Sequence, residues 1–289
     1  MLNDLKYKFT NSNALFKLIY INLGVFVFGK IVKTLSYLFQ NTLFNGINWL
    51  GIPVSLKELL FKPWTLLSYM FTHVEFFHIL NNLIYLYFAG QIFLQYFNAK
   101  KLYSIYILGG LAGGLSYLLA FNLFPVFSGY TNNHLIGASA SVLAVLFAVA
   151  TYVPNYKVSL PFIGSIPIKY IAIVSVFLDI ISIPENNAGG HIAHLGGALF
   201  GVFFINRWKK GIDLSIPFYN FVDSLSGLFT KKKHLKTVHK RSKTDDEFRA
   251  EKTDRSEVID AILDKIAKSG YDSLSVKEKE YLFNNSKKM

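Results

Sequence analysis

A serine, several histidines and two asparagines lie in stretches of the sequence that are otherwise apolar. Ser139 follows Gly137 by two residues and stands at the start of a hydrophobic run that extends to Ala150. A serine hydroxyl is a weak nucleophile unless a neighbouring base removes its proton, and histidine is the commonest such base. The candidate bases in the apolar part of the chain are His73, His78, His134, His191 and His194. A fold that brings one of them to Ser139 would create the nucleophile and base of a serine hydrolase.

Residue type and spacing favour His194 as the partner of Ser139. In a helix, Gly197 and Gly201 lie on the same face as His194, because they follow it by three and seven residues. Small residues on that face would allow the helix that carries His194 to pack closely against the helix that carries Ser139. His191, one turn earlier, remains an alternative base.

His78 and Asn82 form a candidate oxyanion hole. They are four residues apart and therefore share one face of a helix. A tetrahedral oxyanion needs hydrogen-bond donors, each worth about 10²- to 10³-fold in rate, and these side chains could supply them with the backbone N–H of Ser139. Simpler interpretations remain open on residue type alone. Asn82 could join two helices, and Ser139 or Ser141 could hydrogen bond a carbonyl group one turn back.

The composition is that of a polytopic membrane protein. Hydrophobic residues make up 52% of the 289 residues, charged residues make up 17%, and the mean hydropathy is +0.33. Half of the net charge of +12 comes from the C-terminal tail after the sixth apolar window. Basic residues beside membrane spans are expected on the cytoplasmic side, so we expect no nucleic-acid partner. The chain has no cysteine, which excludes disulfides, thiolate chemistry and cysteine-based metal sites. We expect no metal and no cofactor.

Six apolar windows approach the ~20 residues that a helix needs to cross a bilayer. We therefore predict an all-α polytopic fold, a bundle of six transmembrane helices with a small cytoplasmic helical tail. The first span is expected to be retained, because no cleavage-site pattern follows it. The long connection at 38–75 is expected to hold an interfacial or functional structure. The predicted spans are 15–37, 76–97, 102–124, 136–153, 167–183 and 189–205.

Basic residues in the connections predict that both termini lie in the cytoplasm. The connections after the second, fourth and sixth spans are basic, whereas the connection after the third has no charge and that after the fifth has only Glu185. Lys57 and Lys62 in the first connection are exceptions. In this orientation three separate spans bring their polar groups to one depth, towards the outer face: Ser139, His78, and the pair His191 and His194. Polar groups inside a membrane are costly, which makes them candidates for function.

The chain after Arg207 has a different character. We predict four regions: a cytoplasmic N-terminus at 1–14, the membrane domain at 15–206, a basic disordered linker at 207–250 and a helical hairpin at 251–289. The basic segment Lys231–Lys243 could contact anionic lipid. Ser275 and Glu278 have the spacing of a capping box. A hairpin this short cannot carry its own core, so we expect it to dock or bind a partner.

Four motifs in the order found here resemble those of the rhomboid family of intramembrane serine proteases, and the resemblance covers residues 15–206. The pattern Gly-x-Ser alone is common, but four motifs at the expected ends of the expected spans are specific. The motifs are Pro63-Trp-Thr-Leu-Leu-Ser-Tyr-Met-Phe-Thr-His73, His78-x-x-x-Asn82, Gly137-x-Ser139 and Ala193-His-x-Gly-Gly-x-x-x-Gly201.

The resemblance implies that Ser139 attacks the scissile carbonyl group and that His194 acts as general base and acid in a two-residue dyad. It implies that His78, Asn82 and the backbone N–H of Ser139 form the oxyanion hole. Because the family uses no catalytic carboxylate, we expect Asp179 to be structural.

The resemblance also implies the partners and the location. Substrates would be single-span transmembrane proteins with small, helix-destabilising residues near the cleavage point, and the other partner would be the lipid bilayer. Residues 38–75 would form a membrane-embedded loop beside the site. The tail resembles that of some bacterial rhomboids, so we expect a bacterial inner-membrane protein.

This chain departs from the common rhomboid pattern after the nucleophile. The residue after the serine is often glycine and is Ala140 here, the tyrosine often found four residues after the serine is Leu143, and Ala144 replaces a frequent glycine. That tyrosine stacks against the catalytic histidine. Its absence implies that another residue, or the packing of the sixth span, orients His194.

Two other functions are considered. A rhomboid-like pseudoprotease would bind transmembrane helices without cutting them, but it is expected to lack the serine or the histidine, and both are present. A transporter or channel would have polar groups near the bilayer midplane and an internal repeat, neither of which the sequence indicates.

Overall fold

The structure, a computed structural model, describes residues 7, 9–40, 46–160, 164–185, 187–229 and 244–286. It divides into two units, 1–230 and 231–289. In the first unit the helices are, in chain order, α1 (Ala14–Leu38), α2 (Gly46–Leu50), α3 (Leu56–Phe61), α4 (Thr65–Ser68), α5 (Phe76–Tyr96), α6 (Ala99–Leu123), α7 (Ser139–Tyr152), α8 (Ile168–Ser182), α9 (Ala188–Lys209) and α10 (Ser215–Phe229).

Each of the six predicted spans coincides with one of these helices, and the predicted and observed ends differ by only a few residues. Among the described residues, four helices are long and apolar enough to cross a membrane, namely α1, α5, α6 and α9. Helices α7 and α8 have only 14 and 15 residues. The structure therefore supports a mostly helical membrane protein with four candidate spans, and the count of six stays a prediction.

Two short antiparallel sheets lie in the connections between the helices. Strand β1 (Ile52–Pro53) pairs with β2 (His134–Leu135), with Ile52 opposite Leu135. Strand β3 (Lys157–Leu160) pairs with β4 (Gly164–Pro167) between α7 and α8. The first sheet ties the long first connection to the segment that immediately precedes α7.

A buried polar group fixes the first connection to the helices. The Asn22 side chain, on α1, is fully buried and donates from Nδ2 to the Tyr106 hydroxyl of α6 at 3.0 Å. The same hydroxyl lies 3.1 Å from the carbonyl oxygen of Met70 and donates to it. Buried polar groups cost free energy unless they are hydrogen bonded, so these bonds specify where the connection lies.

Two tryptophans pack against each other in the described part of the first connection. Trp49 and Trp64 stack with ring centroids 6.3 Å apart, and the Trp64 indole N–H donates to the Trp49 carbonyl oxygen. Both rings are partly exposed, and the nearby Leu60 and Phe61 are largely exposed. Amphipathic aromatic rings are typical of a membrane interface. Embedding of this loop in the membrane stays a prediction.

Helix α7 lies between α6 and α9, and glycines on both neighbours face it. A Cβ atom at Gly113 of α6 would overlap the Ala140 side chain, and one at Gly197 of α9 would overlap the Ala140 carbonyl oxygen. A Cβ atom at Gly201 would overlap the carbonyl oxygen of Ala144. The predicted small-residue face of α9 is therefore the face that packs against the helix that begins with Ser139.

We expect Gly197→Val to destabilise the protein, because the added side chain would displace backbone atoms of α7. Overpacking of this kind costs about 1–3 kcal/mol, so the melting temperature should fall by about 3 °C or more in a thermal unfolding experiment in detergent. The matched control is Gly24→Val in α1, where no atom lies within 4 Å of an added Cβ atom. Equal melting temperatures for the two variants would contradict the packing described here.

The structure corrects the predicted disordered linker at 207–250. Helix α10 occupies Ser215–Phe229, and a further helix begins at Asp245. Lys101 of α6 pairs with Asp213 at 2.8 Å, and Asp213 accepts from the Ser215 hydroxyl at 2.6 Å, which places the start of α10 against the start of α6. The prediction of disorder rested on the charged residues on either side of α10, and the apolar residues of α10 itself were overlooked. The basic segment Lys231–Lys243 lies outside the described residues.

The second unit contains helices α11 (Asp245–Ser269) and α12 (Val276–Ser286). Ser275 and Glu278 have the reciprocal contacts of the predicted capping box: the Ser275 N–H donates to Glu278 Oε2 at 2.7 Å, and the Glu278 N–H donates to Ser275 Oγ at 3.4 Å. Hydrogen bonds from Lys265 and Ser275 lower the pKa of Glu278 to about 2. The pair of helices begins six residues earlier than the predicted boundary at 251.

Candidate functional site

Two backbone hydrogen bonds hold the turn that leads to Ser139. The Gly137 N–H donates to the Tyr69 carbonyl oxygen at 2.9 Å, and the Ala138 N–H donates to Nε2 of His73 at 3.3 Å. His73 is buried and supports this turn, so among the candidate histidines it is a backbone partner and not a base for Ser139. Helix α7 then begins at Ser139.

Gly137 is required at this turn for two reasons. Its φ of +118° belongs to the conformations that other residues rarely adopt. A Cβ atom at this position would also lie 2.8 Å from the imidazole ring of His78. The glycine thus allows the His78 ring to lie against the backbone immediately before Ser139.

The structure brings Ser139 and His194 together. Ser139 Oγ lies 2.6 Å from His194 Nε2, a hydrogen-bond distance between residues 55 positions apart in the sequence. His194 lies in the second turn of α9, whose glycines allow α9 to approach α7. A serine nucleophile and its base require a hydrogen bond between the serine Oγ and an imidazole nitrogen, as found here.

His191 does not take the place of His194. Its Nδ1 atom lies 2.8 Å from Asp179 Oδ1, and its ring centroid lies 5.8 Å from that of His194. His134, another candidate base, lies in β2 with Nε2 3.6 Å from a carboxylate oxygen of Glu58.

Asp179, which was expected to be structural, contacts two of the candidate histidines. Its Oδ1 atom lies 2.7 Å from His194 Nδ1 as well as 2.8 Å from His191 Nδ1. Asp179 is buried and lies near the end of α8. An acidic residue in an apolar helix is costly, and that cost was the sequence signal for a partner.

The two imidazole nitrogens and the carboxylate oxygen lie within 4.8 Å of one another, so they could hold a metal ion. The contacts of 2.7 and 2.8 Å are hydrogen-bond lengths. Four ligands at 2.0–2.1 Å around zinc would lie about 3.3 Å apart. The distances between Asp179 and the two histidines are therefore those of hydrogen bonds and are shorter than the distances between the ligands of a metal ion.

The candidate oxyanion donors line the same cavity as Ser139. His78 and Asn82 come from the first two turns of α5, and Asn82 Nδ2 donates one hydrogen to the His78 carbonyl oxygen at 2.9 Å. A carboxamide carries two hydrogens on that nitrogen, so one remains for a ligand. The first backbone N–H groups of α7 have no acceptor within their own helix.

A mainly apolar cavity of about 570 Å³ surrounds these groups. Helices α5, α7, α8 and α9 contribute to its walls. Its apolar and aromatic lining includes Tyr85, Val142, Leu143, Tyr170, Val174 and Leu178. Leu143, the residue in place of the usual tyrosine, belongs to this lining and offers no hydrogen bond to His194.

A second cavity of about 780 Å³ shares His78 and Asn187 with the first. Its walls come from the connection before β2 and from the connection between α8 and α9, and they include Tyr130, Asn133, His134 and Glu185. Tyr130, Asn133 and His134 thus bring the chain segment that precedes α7 to a cavity beside the site.

Two family models match the chain. The Rhomboid domain matches residues 60–207, which is just over half of the chain and contains all of the site residues described above. A family of unknown function named DUF6576 matches residues 242–288, the second unit of the structure.

Several known proteins are similar to this chain. The RHOMBOID-like protein 12, mitochondrial, of Arabidopsis thaliana is 26% identical over 204 residues, 67% of this chain and 58% of its own length. Rhomboid-related protein 1 of Caenorhabditis elegans is 29% identical over 166 residues, 53% of this chain and 42% of its own length.

The Presenilin-associated rhomboid-like protein A, mitochondrial, of Danio rerio is 28% identical over 164 residues, 54% of this chain and 41% of its own length. The chain thus spans about half the length of the curated relatives it matches. These three relatives are eukaryotic, so the expected bacterial origin stays a prediction.

Proposed function

The chain belongs to the rhomboid family, and on that premise we propose that it is an intramembrane serine endopeptidase that cleaves transmembrane segments of membrane proteins. The observation that carries this proposal is the 2.6 Å contact between Ser139 Oγ and His194 Nε2. A pseudoprotease that only binds helices would have no need of an activated serine. The protein is an integral membrane protein, which is the setting that this reaction requires.

The proposed reaction has two stages, with one proton carrier. Ser139 Oγ attacks the scissile carbonyl carbon while its proton passes to His194 Nε2, and the resulting tetrahedral intermediate expels the amine, which takes that proton. Water then attacks the acyl-enzyme, His194 accepts a proton from the water, and Ser139 leaves with that proton. Each stage returns the imidazole to its neutral form.

Donors from two helices would stabilise the oxyanion. The backbone N–H of Ser139 lies at the start of α7, where the helix dipole also favours negative charge. The His78 ring and the second amide hydrogen of Asn82 come from α5.

We expect Asn82→Ala to lower kcat by about 10²-fold with little change in KM, because the donor acts on charge that develops only in the transition state. Asn81→Ala is the matched control, since Asn81 is the adjacent residue and lines the same cavity. Kinetics on a purified, reconstituted enzyme would measure both parameters. Equal kcat values for the two variants would remove Asn82 from the oxyanion hole.

The cavities suggest how substrate and water reach the site. The apolar lining from α5 and α8 suits the unwound end of a single-span transmembrane segment, and small residues there would fit beside Leu143. The second cavity, with its more polar lining, would supply the water that hydrolysis consumes. The basic connections support the proposal that both termini are cytoplasmic and that the site faces the opposite side.

The proposal is tested in liposomes that contain the purified protein and a single-span reporter substrate with labels at both ends. Wild-type protein is expected to release two fragments cut within or beside the transmembrane segment, as located by mass spectrometry. The pseudoprotease alternative predicts co-purification of the substrate with no fragments. That result, with folded protein and several substrates, would overturn the proposal.

A further inference from the structure

We propose that Asp179 is a positioning residue that holds His194 for its reaction with Ser139, so that the site works as a Ser139–His194–Asp179 triad. The inference rests on the proposed function. It deepens that function because a two-residue dyad would assign the carboxylate no part in the reaction.

The geometry forms a continuous line of hydrogen bonds through the imidazole ring. Asp179 Oδ1 lies 2.7 Å from His194 Nδ1, and Ser139 Oγ lies 2.6 Å from His194 Nε2. An ionised carboxylate can only accept hydrogen bonds, so Nδ1 must carry the hydrogen. In a neutral imidazole Nε2 is then the acceptor. Asp179 therefore selects the one tautomer that can take the proton of Ser139.

Burial strengthens this effect. The Asp179 side chain is 9% exposed and that of His194 is 20% exposed. A charge in such surroundings is costly unless a partner offsets it. When His194 accepts the serine proton, the negative carboxylate lies beside the new positive charge, and the pair becomes neutral as a whole. The carboxylate thus favours the charged form of His194 that the reaction produces.

The other residues near the His194 ring do not orient it as Asp179 does. Leu143 lies in the same cavity and can contact the ring only by apolar packing. Helices α8 and α9 are joined by a short connection, so Asp179 near the end of α8 and His194 near the start of α9 face each other across it. Among the described contacts, Asp179 is the hydrogen-bond partner of the His194 ring on the side opposite Ser139.

His191 provides the competing explanation. It binds the same carboxylate oxygen at 2.8 Å, so Asp179 could serve only to fasten the start of α9 through His191. In that case, loss of His191 would have the same effect as loss of Asp179. If Asp179 acts through His194, loss of His191 leaves the essential hydrogen bond in place.

The test compares Asp179→Asn with His191→Gln, in reconstituted full-length protein with a single-span reporter substrate. We expect Asp179→Asn to lower kcat by about 10²- to 10⁴-fold with KM changed by less than about threefold, because the amide can donate to Nδ1 and favour the wrong tautomer. His191→Gln should retain kcat to within about fivefold. Equal losses in the two variants would overturn the inference.

A second variant decides the result if Asp179→Asn also lowers the melting temperature. Asp179→Glu keeps the carboxylate but is larger, so a purely structural role predicts that it is tolerated less well than the isosteric asparagine. A positioning role predicts that its kcat exceeds that of Asp179→Asn. A lower kcat for the glutamate variant would overturn the inference.

Two further experiments distinguish failure of the triad from failure of the proposed function and from a metal site. If Ser139→Ala cleaves as fast as wild type, the proposed function has failed. If Ser139→Ala is inactive while Asp179→Asn keeps the wild-type kcat, only the triad has failed. Treatment of the wild type with EDTA is expected to leave kcat unchanged. Loss that added zinc restores would replace the triad with a metal site at Asp179, His191 and His194.

Discussion

Ser139→Ala is expected to abolish proteolysis by the reconstituted protein. The variant has no Oγ to attack the carbonyl carbon, and loss of a serine nucleophile lowers kcat by about 10⁴- to 10⁶-fold in enzymes of this chemistry. The fold should remain intact, because Ser139 is the first residue of α7 and its hydroxyl lies at the cavity, where its hydrogen-bond partner is His194. Fragment release in liposomes over hours would measure the residual rate.

Ser141→Ala is the matched control for this prediction. Ser141 lies in the same turn of α7 but is fully buried, and its hydroxyl lies 3.8 Å from the sulfur of Met70. Its loss should change kcat by less than about fivefold, although a buried hydroxyl contributes on the order of 1 kcal/mol to stability. An active Ser139→Ala variant together with an inactive Ser141→Ala variant would show that the nucleophile is assigned wrongly.

His194→Ala should have an effect of similar size. Without the imidazole, the Ser139 hydroxyl loses the acceptor at 2.6 Å, and the leaving amine loses its proton donor. Nucleophile and base act as one unit, so loss of either costs almost as much as loss of both. The double variant with Ser139→Ala should therefore be no slower than either single variant.

His191→Ala gives the comparison that identifies the base. His191 is three residues from His194 and binds the same carboxylate, but its Nδ1 atom is directed to Asp179 and not to Ser139. The kcat of His191→Ala is expected to stay within about tenfold of wild type, whereas His194→Ala should lose at least about 10³-fold. The reverse order would assign the base to His191.

Much of the helical fold follows from local properties of the sequence. Apolar windows and their bounding polar residues located α1, α5, α6 and α9 because a bilayer-spanning helix has a length and composition that few other segments share. The spacing of Gly197 and Gly201 also indicated which side of α9 packs closely, because glycines that recur on one helix face allow another helix to approach it. Helix α10 was missed because its neighbours are so strongly charged.

The site was predictable where one helix or one turn defines it. His78 and Asn82 share a face by spacing, and Ser139 follows a glycine whose φ is positive. The contact of Asp179 with His194 could not be read in this way. It depends on how the end of α8 and the start of α9 meet in space, and resemblance to a family without a catalytic carboxylate argued against it.

His73 illustrates a second kind of contact that sequence reading does not reach. A histidine near a candidate serine looks like a base, yet its Nε2 accepts from the Ala138 backbone. The pairing of β1 with β2 lies beyond local patterns for the same reason, since Ile52 and Leu135 are 83 residues apart in the chain. Both contacts hold the turn from which α7 begins.

Labelling with a fluorophosphonate probe tests the central claim most directly, because the probe reacts only with a serine whose proton is removed by a base. Purified wild type, Ser139→Ala and His194→Ala would be compared in detergent, with folding checked by thermal unfolding. An activated Ser139 with His194 as its base predicts that the wild type is labelled and that both variants lose the label. Equal labelling of Ser139→Ala, or no labelling of a folded wild type, would contradict the account and favour a protein that binds transmembrane helices without cutting them.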